Sequence, residues 1–417
     1  MRLPYLLVMA CSALWAAEPA PVVTLAPVAP VTPVDNVTRT FLTALARAPQ
    51  VRALMERRQA LRHLEGAAGR LPDPMLSLGY ARKRTPMERM PMYDLMLEQP
   101  LPRWGERDAA RAMAASATRL SDAEIASDVA MLAGDLALAV AEIDGLQERL
   151  AEGEQEDRRI TALSAAIDAR VASGEAGVLE RLGIDTRRER LHLRLDDVRR
   201  SLADRAADIR GRLAVTPDAP LPPFAAPQPD AIDPAHTPAA LDAEAKHLEA
   251  LASLQEARAM GHPETAIGVR AERESADAGN EDTVGLTLTI SLPIARGAIA
   301  AGEDAAHARL RAAERMAEAA RWRTTSAVER ARRALVQAER AAQLANGLLT
   351  RAAAEQQTLV AALGSGGANL TALLDLHDRL AELRLEVIDA RVAARQAQAD
   401  LWVHVIPDLP PVSGNTP

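Results

Sequence analysis

Aromatic residues are nearly missing from this chain, which carries two Phe, three Tyr and four Trp among 417 residues. So small a supply of rings excludes a thick multilayer core and fits Ala- and Leu-rich helices packed closely side by side. Cysteine occurs once, at Cys11, so no disulfide framework holds the chain. Basic charge is not in excess: 57 acidic groups face 49 basic ones, for a net charge of −8, which excludes a basic nucleic-acid footprint. Beyond the N-terminus no apolar run reaches the ~20 residues that a transmembrane helix needs. If this chain crosses a membrane, it does so with strands.

Proline is absent from two long tracts, although the chain holds 27 prolines. Proline removes a backbone donor and clashes with the preceding helical turn, so its absence permits very long helices. The tracts run from Arg103 to Thr216 and from Ile294 to Ile406 and are dense in Ala, Leu, Arg and Glu. In the second, Val328, Ala331, Leu335, Ala338, Ala342, Ala345 and Leu349 alternate spacings of three and four. Leu373, Leu376, Leu380, Leu383, Val387, Ala390 and Ala394 repeat the pattern, which is that of a coiled-coil seam. Glycines interrupt both tracts, around Gly174 and Gly177 in the first and Gly366 and Gly367 in the second. Each tract therefore reads as a helical hairpin, with arms of roughly 80 Å at ~1.5 Å per residue.

The period changes ahead of each tract. Leu76, Leu78 and Tyr80 alternate with small residues, and Tyr93, Leu95 and Leu97 alternate with Asp94, Met96 and Glu98, which predicts a strand hairpin over 75–99. A second hairpin is predicted over 264–292. Its last strand alternates Val284, Leu286, Leu288, Ile290 and Leu292 with Gly285, Thr287, Thr289 and Ser291. Further helices are expected over about 37–69 and from 239 to 260. The segment 213–238, with eight prolines from Pro217 to Pro238, reads as a linker with little regular structure.

At the N-terminus Arg2 precedes an apolar run from Leu3 to Ala17, the anatomy of a secretory signal peptide over 1–17, followed by an extended segment over 18–36. Val8-Met9-Ala10-Cys11 also passes for a lipoprotein cleavage box, which makes Cys11 a candidate for lipidation. The remaining order is then one repeat over 37–212 with its long hairpin at 105–212, a second over 239–406 with its long hairpin at 296–406, and a tail over 407–417. Leu101-Pro102-Arg103-Trp104-Gly105 lines up with Leu292-Pro293-Ile294-Ala295-Arg296-Gly297 at an offset of about 190 residues, so the chain reads as an internal duplication.

The expected fold class is mainly α with a small β part, four strands per chain. Four strands cannot close a barrel, and an open sheet in lipid leaves unpaired backbone groups at its edges. Sharing one barrel among several chains solves this, and three chains would supply twelve strands. Helices that start directly after the strands would continue the cylinder as a hollow tunnel.

With this order the chain resembles the outer-membrane factor (TolC) family. The resemblance spans about 37–406 and rests on the duplication, on Gln99-Pro100-Leu101-Pro102-Arg103-Trp104-Gly105 and on the mid-tract glycine breaks. It implies a homotrimer with a twelve-strand outer-membrane barrel set in lipid and a periplasmic helical tunnel. It also implies two partners, a periplasmic adaptor (membrane fusion protein) and an inner-membrane pump of the resistance–nodulation–division type. The stretch at 99–105 looks most like the heavy-metal efflux branch; drug efflux and type I protein secretion are the alternatives. A non-transporting envelope coiled-coil scaffold is a further rival. The resemblance makes Gly174, Gly177, Gly366 and Gly367 the adaptor-docking tips and Asp375 and Asp378 the carboxylates that narrow the pore, with Ala372 at a position where the family usually has an acid.

No enzyme is expected, and no cofactor. The eight histidines show no metal-ligand spacing, so no metal site is assigned. His377 beside Asp375 and Asp378 reads as an exposed histidine or as a pore lining. Met87, Met90, Met92 and Met96 read as adaptable apolar filler or as soft-ion contacts.

Overall fold

The computed structural model describes residues 36–84, 89–172, 178–276, 279–364 and 370–410. The signal-peptide reading, Cys11, Gly174, Gly177, Gly366 and Gly367 lie outside the described residues. The first half holds α1 (Asn36–Arg47), α2 (Pro49–Ala67), β1 (Met75–Arg84), β2 (Arg89–Leu101), α3 (Glu106–Ala172) and α4 (Val178–Leu213). The second holds α5 (Pro238–Ala259), β3 (Glu264–Ala276), β4 (Gly279–Ser291), α6 (Arg296–Gly364) and α7 (Leu370–Ala399). The single helix expected over 37–69 is in fact two. Ala48, ahead of Pro49, is extended at φ −57° and ψ 134°, because a residue before proline is driven out of the helical region.

All four strands form one antiparallel sheet in the order β1-β2-β3-β4. The helices form a layer below it. α3 is central, packing against α2, α4, α5 and α7, while α6 packs against α5 and α7. Following the neighbours gives α2–α3–α5–α6 next to the sheet and α4–α3–α7–α6 further away. The predicted seam of α6 is the less exposed set, with Val328 and Leu335 fully buried. On α7, Leu380 and Val387 are buried likewise. Two glycines bring α3 close to its partners: a Cβ at Gly145 would run into Val392 of α7, and one at Gly153 into Leu195 of α4.

The main core is a belt part-way along the helices. Phe41, Leu42 and Leu45 of α1 meet Val129, Leu136 and Ile143 of α3, Ile209 of α4 and Trp402, in the turn after α7. Phe41 and Trp402 stack at 5.5 Å. The Pro-rich stretch expected to be an irregular linker belongs to this belt. Trp402 Nε1 donates to the Ala225 carbonyl at 2.9 Å, and Arg332 of α6 donates to the carbonyls of Pro229 and Ile232. Ile232 is buried against Val328, Leu335 and Leu401, and short 3-10 turns form at Pro229–Ala231 and Pro234–His236. Proline supplies fixed φ angles here, and the lost backbone donors are offset by side-chain contacts to the carbonyls.

Candidate functional site

The sheet has two chemically different faces, and the register makes them continuous across all four strands. On one face Leu76, Leu97, Val269 and Leu286 form a rung, and Leu78, Leu95, Ala271 and Val284 form the next. Gln99, Ile267 and Leu288, then Leu101, Thr265 and Ile290, continue it toward the helices. The opposite face carries Ser77, Met96, Arg270 and Gly285 in one rung and Gly79, Asp94, Glu272 and Thr283 in another. There Arg270 Nε donates to Asp94 at 2.7 Å. The apolar face is bare: Leu78 is 79% exposed and Leu286 85% exposed.

That face ends in a polar rim. Tyr80, Tyr93, Arg273 and Asp282 form the outermost rung of that face to span all four strands, with the tyrosine rings 5.4 Å apart and Arg273 Nε 2.6 Å from Asp282. From the Leu101 rung to the tyrosine rung is eight residues, roughly 27 Å along a strand, or roughly 20 Å after a tilt of about 40°. An apolar band of that height ending in an aromatic and charged girdle is the lipid-facing pattern of transmembrane strands. No described helix is long and apolar enough to cross a membrane.

Both layers have uncovered edges. Among the described residues, β1 and β4 end the sheet with no further strand beside them. At the edges of the helical layer, Leu179, Leu182 and Leu193 of α4 and Trp322, Val336, Leu344 and Leu348 of α6 are exposed on the side away from the packed seams.

Within the helices a charged ladder joins α3 to α7. Asp144, Glu148, Glu152 and Glu156 recur every four residues along one stripe of α3. Facing them, running the other way, are Arg395, Arg391, Arg384 and His377 of α7. Glu156 is buried between Arg159 at 2.9 Å and Arg384 at 3.3 Å. His377, also buried, brings Nε2 to 3.2 Å from Glu156, but the ring is not aligned for a hydrogen bond. Burial raises the Asp144 carboxyl against the pull of Arg395. Burial likewise lowers the Arg384 guanidinium, with Arg159 acting in the same direction. On the α4 side Asp157 meets Arg188 at 3.3 Å and His192 at 2.9 Å. Burial would raise that carboxyl, but the two hydrogen bonds outweigh it and hold it below its ordinary value.

The two sequence-selected carboxylates differ in surroundings. Asp378 accepts a fork of hydrogen bonds from Arg187 of α4, at 3.0–3.3 Å. Asp375 is exposed and makes no ion pair among the described residues. Glu382 and Glu386, seven and eleven residues on, share its exposed helix face. Their spacing of seven and eleven residues from Asp375 is the signal for them in the sequence. His377, expected to be exposed or to line a pore, is instead packed against α3. Met92 and Met96 project from the polar face of β2.

No family model and no curated protein matches the chain by sequence. Solved structures match it by fold. A membrane protein from Pseudomonas aeruginosa superposes with a TM-score of 0.73 at 22% identity, over 89% of this chain and 90% of that one. CusC, solved in a study of transmembrane channel formation, gives 0.72 at 15% identity, over 89% of this chain and 92% of the other. The open MtrE outer-membrane channel of Neisseria gonorrhoeae gives 0.72 at 15% identity, over 93% and 96%. The chain therefore has the fold of outer-membrane channels, over nearly its whole described length.

Proposed function

We propose that this protein is the outer-membrane channel of a tripartite efflux system and a member of the TolC family. One observation carries the reading. A four-strand sheet with one continuous apolar face and two bare edges is joined to a helical layer whose two edges are also bare. Burying the face in lipid and pairing each edge with the opposite edge of another copy satisfies every one of these surfaces at once. Three copies give a twelve-strand barrel continued by a twelve-helix tunnel. The repeated order of helix, hairpin and paired long helices supports descent from a duplicated half.

In this reading substrates pass through passively, received from a periplasmic adaptor and an inner-membrane pump. The adaptor meets the tips at Gly174, Gly177, Gly366 and Gly367. Asp375 faces the lumen near those tips, with Glu382 and Glu386 continuing its stripe, and gives the passage a preference for cations. Asp378 is neutralised by Arg187 and serves to tie α4 to α7. The sequence 99–105 favours heavy-metal cations as cargo, and a drug-efflux duct shares the same architecture. The test is single-channel recording of the detergent-purified protein in a planar bilayer, with its mass measured in parallel. A trimer giving discrete conductance steps supports the reading. A monomer that stays soluble without detergent and never inserts would overturn it in favour of an envelope scaffold.

A further inference from the structure

Directly below the sheet, where α2 ends and α3 begins, lies a cleft of about 650 Å³ lined by Arg62, Glu65, Arg70, Arg107 and Arg111 with Gly66, Ala68, Gly69 and Ala115. Four guanidinium groups meet one carboxylate there. The cleft is built around Gly69, whose φ of +69° only glycine holds without strain. A Cβ on it would lie 2.8 Å from both the Arg107 carbonyl oxygen and Cγ of Arg111, so glycine is what lets the Arg111 side chain lie across the turn. The Gly69 carbonyl in turn accepts from Arg107 Nε at 2.8 Å, which fixes that side chain and leaves its two terminal nitrogens for other partners. Arg111 also contacts the exposed Asp108 at 3.4 Å. Arg62 and Arg70 make no ion pair among the described residues.

The place of this cluster sets its chemistry. Arg107 is the second residue of α3, which begins five residues after β2 ends, and Arg111 is one turn further on. The cluster thus lies within roughly two helical turns of the apolar band. Exposed Trp104 and Leu71 sit between the two, as aromatic and apolar residues do at a membrane interface. The headgroup layer is roughly 6 Å deep, and arginine side chains extend toward it while their stems stay on the protein.

We infer that this cleft binds the phosphodiester of an anionic phospholipid in the leaflet on the helix side of the membrane. The guanidinium fork matches two phosphate oxygens at once, and a cluster of such forks beside a membrane prefers anionic to zwitterionic headgroups. This inference rests on the channel reading, which places the sheet in lipid.

The test is native mass spectrometry of the full-length assembly, with phosphatidylglycerol or phosphatidylethanolamine titrated into the detergent, and inorganic phosphate as a separate competitor. The variants are R62Q/R70Q, which removes the two arginines that make no ion pair among the described residues, and R340Q, an exposed residue of α6 outside the cleft lining. Phosphatidylglycerol should bind in preference to phosphatidylethanolamine, weaken roughly 30-fold in R62Q/R70Q and be unchanged in R340Q. Binding to wild-type protein should also weaken as salt rises, a readout independent of the variants. Equal binding of the two lipids, or no loss in R62Q/R70Q, would overturn the inference. Displacement of lipid by equimolar inorganic phosphate would reassign the cleft to free anions and overturn the lipid part. Conductance is recorded on the same samples: a protein that conducts without lipid preference loses only this inference, whereas one that does not insert loses the channel reading itself.

Discussion

The assignment of the two sheet faces is open to a direct energetic test at neighbouring positions of β4. Leu288 lies at the centre of the Val284–Leu292 alternation, paired with Ile267 on the apolar face, and is 64% exposed in the single chain. Lipid covering that exposed fraction stabilises the leucine by about 1–2 kcal/mol. Arginine at this lipid-facing position, about a quarter of the way along the band from the Leu101 rung, costs a further 1–3 kcal/mol or so, between the interface and midplane values. Leu288→Arg should therefore destabilise the inserted protein by about 2–5 kcal/mol per chain. Thr287 points the other way, in the rung with Gly268, Glu98 and Met75. A new arginine there lies on the face away from lipid, two strands from Glu98 across Gly268, so Thr287→Arg should stay within about 0.5 kcal/mol of wild type. The assay is urea unfolding from phospholipid vesicles, compared at equal protein concentration because assembly contributes to stability. Equal costs for the two variants, or a larger cost for Thr287→Arg, would show that the leucine face does not meet lipid.

Three further outcomes follow from the helical part. Glu156→Gln removes the acid shared by Arg159, Arg384 and His377; with Arg159 a third exposed, the loss should be about 2–3 kcal/mol, read as a lower urea midpoint at unchanged slope. Asp157, whose folded-state pKa is depressed, contributes stability above its unfolded-state pKa that is lost as pH falls through the folded value. Asp157→Asn should therefore flatten the acid limb of a stability–pH curve, and an unchanged limb would exclude that pairing. In single-channel recordings Asp375→Asn should weaken block by divalent cations, while Asp378→Asn should leave block nearly unchanged because Arg187 already neutralises that carboxylate; the reverse pattern would exchange the two roles.

Much of the architecture was legible because it is periodic. Seam positions on α6 and α7, and the strict alternation of β4, depend only on local spacing, and proline-free tracts mark where helices can run. What was not legible depends on partners distant in the chain. The packing of the Pro-rich segment needs Trp402, whose nitrogen bonds a residue 177 positions earlier. The pairing of Asp378 with Arg187 spans 191 positions, so sequence alone left both acids equivalent. The charged ladder was half visible, as acids every four residues on α3, but its meaning required the antiparallel α7. The break at Pro49 was a local signal that the apolar pattern on either side obscured, since helical periodicity continues across it.

The even number of strands has a consequence for assembly. Because β1 and β4 run in opposite directions, β4 of one copy can meet β1 of the next without breaking the antiparallel alternation. The two edges are different sequences, so the contact is head-to-tail, and such contacts repeat either as closed rings or as open filaments. Alternation is preserved for any number of copies, so strand pairing by itself does not count subunits. The count must come from the rotation per copy, which the helix edges and the sheet twist set together. In the proposed ring, substitutions at Leu179, Leu193, Leu344 or Leu348 would therefore alter ring size or closure while leaving the strand pairing within each copy intact.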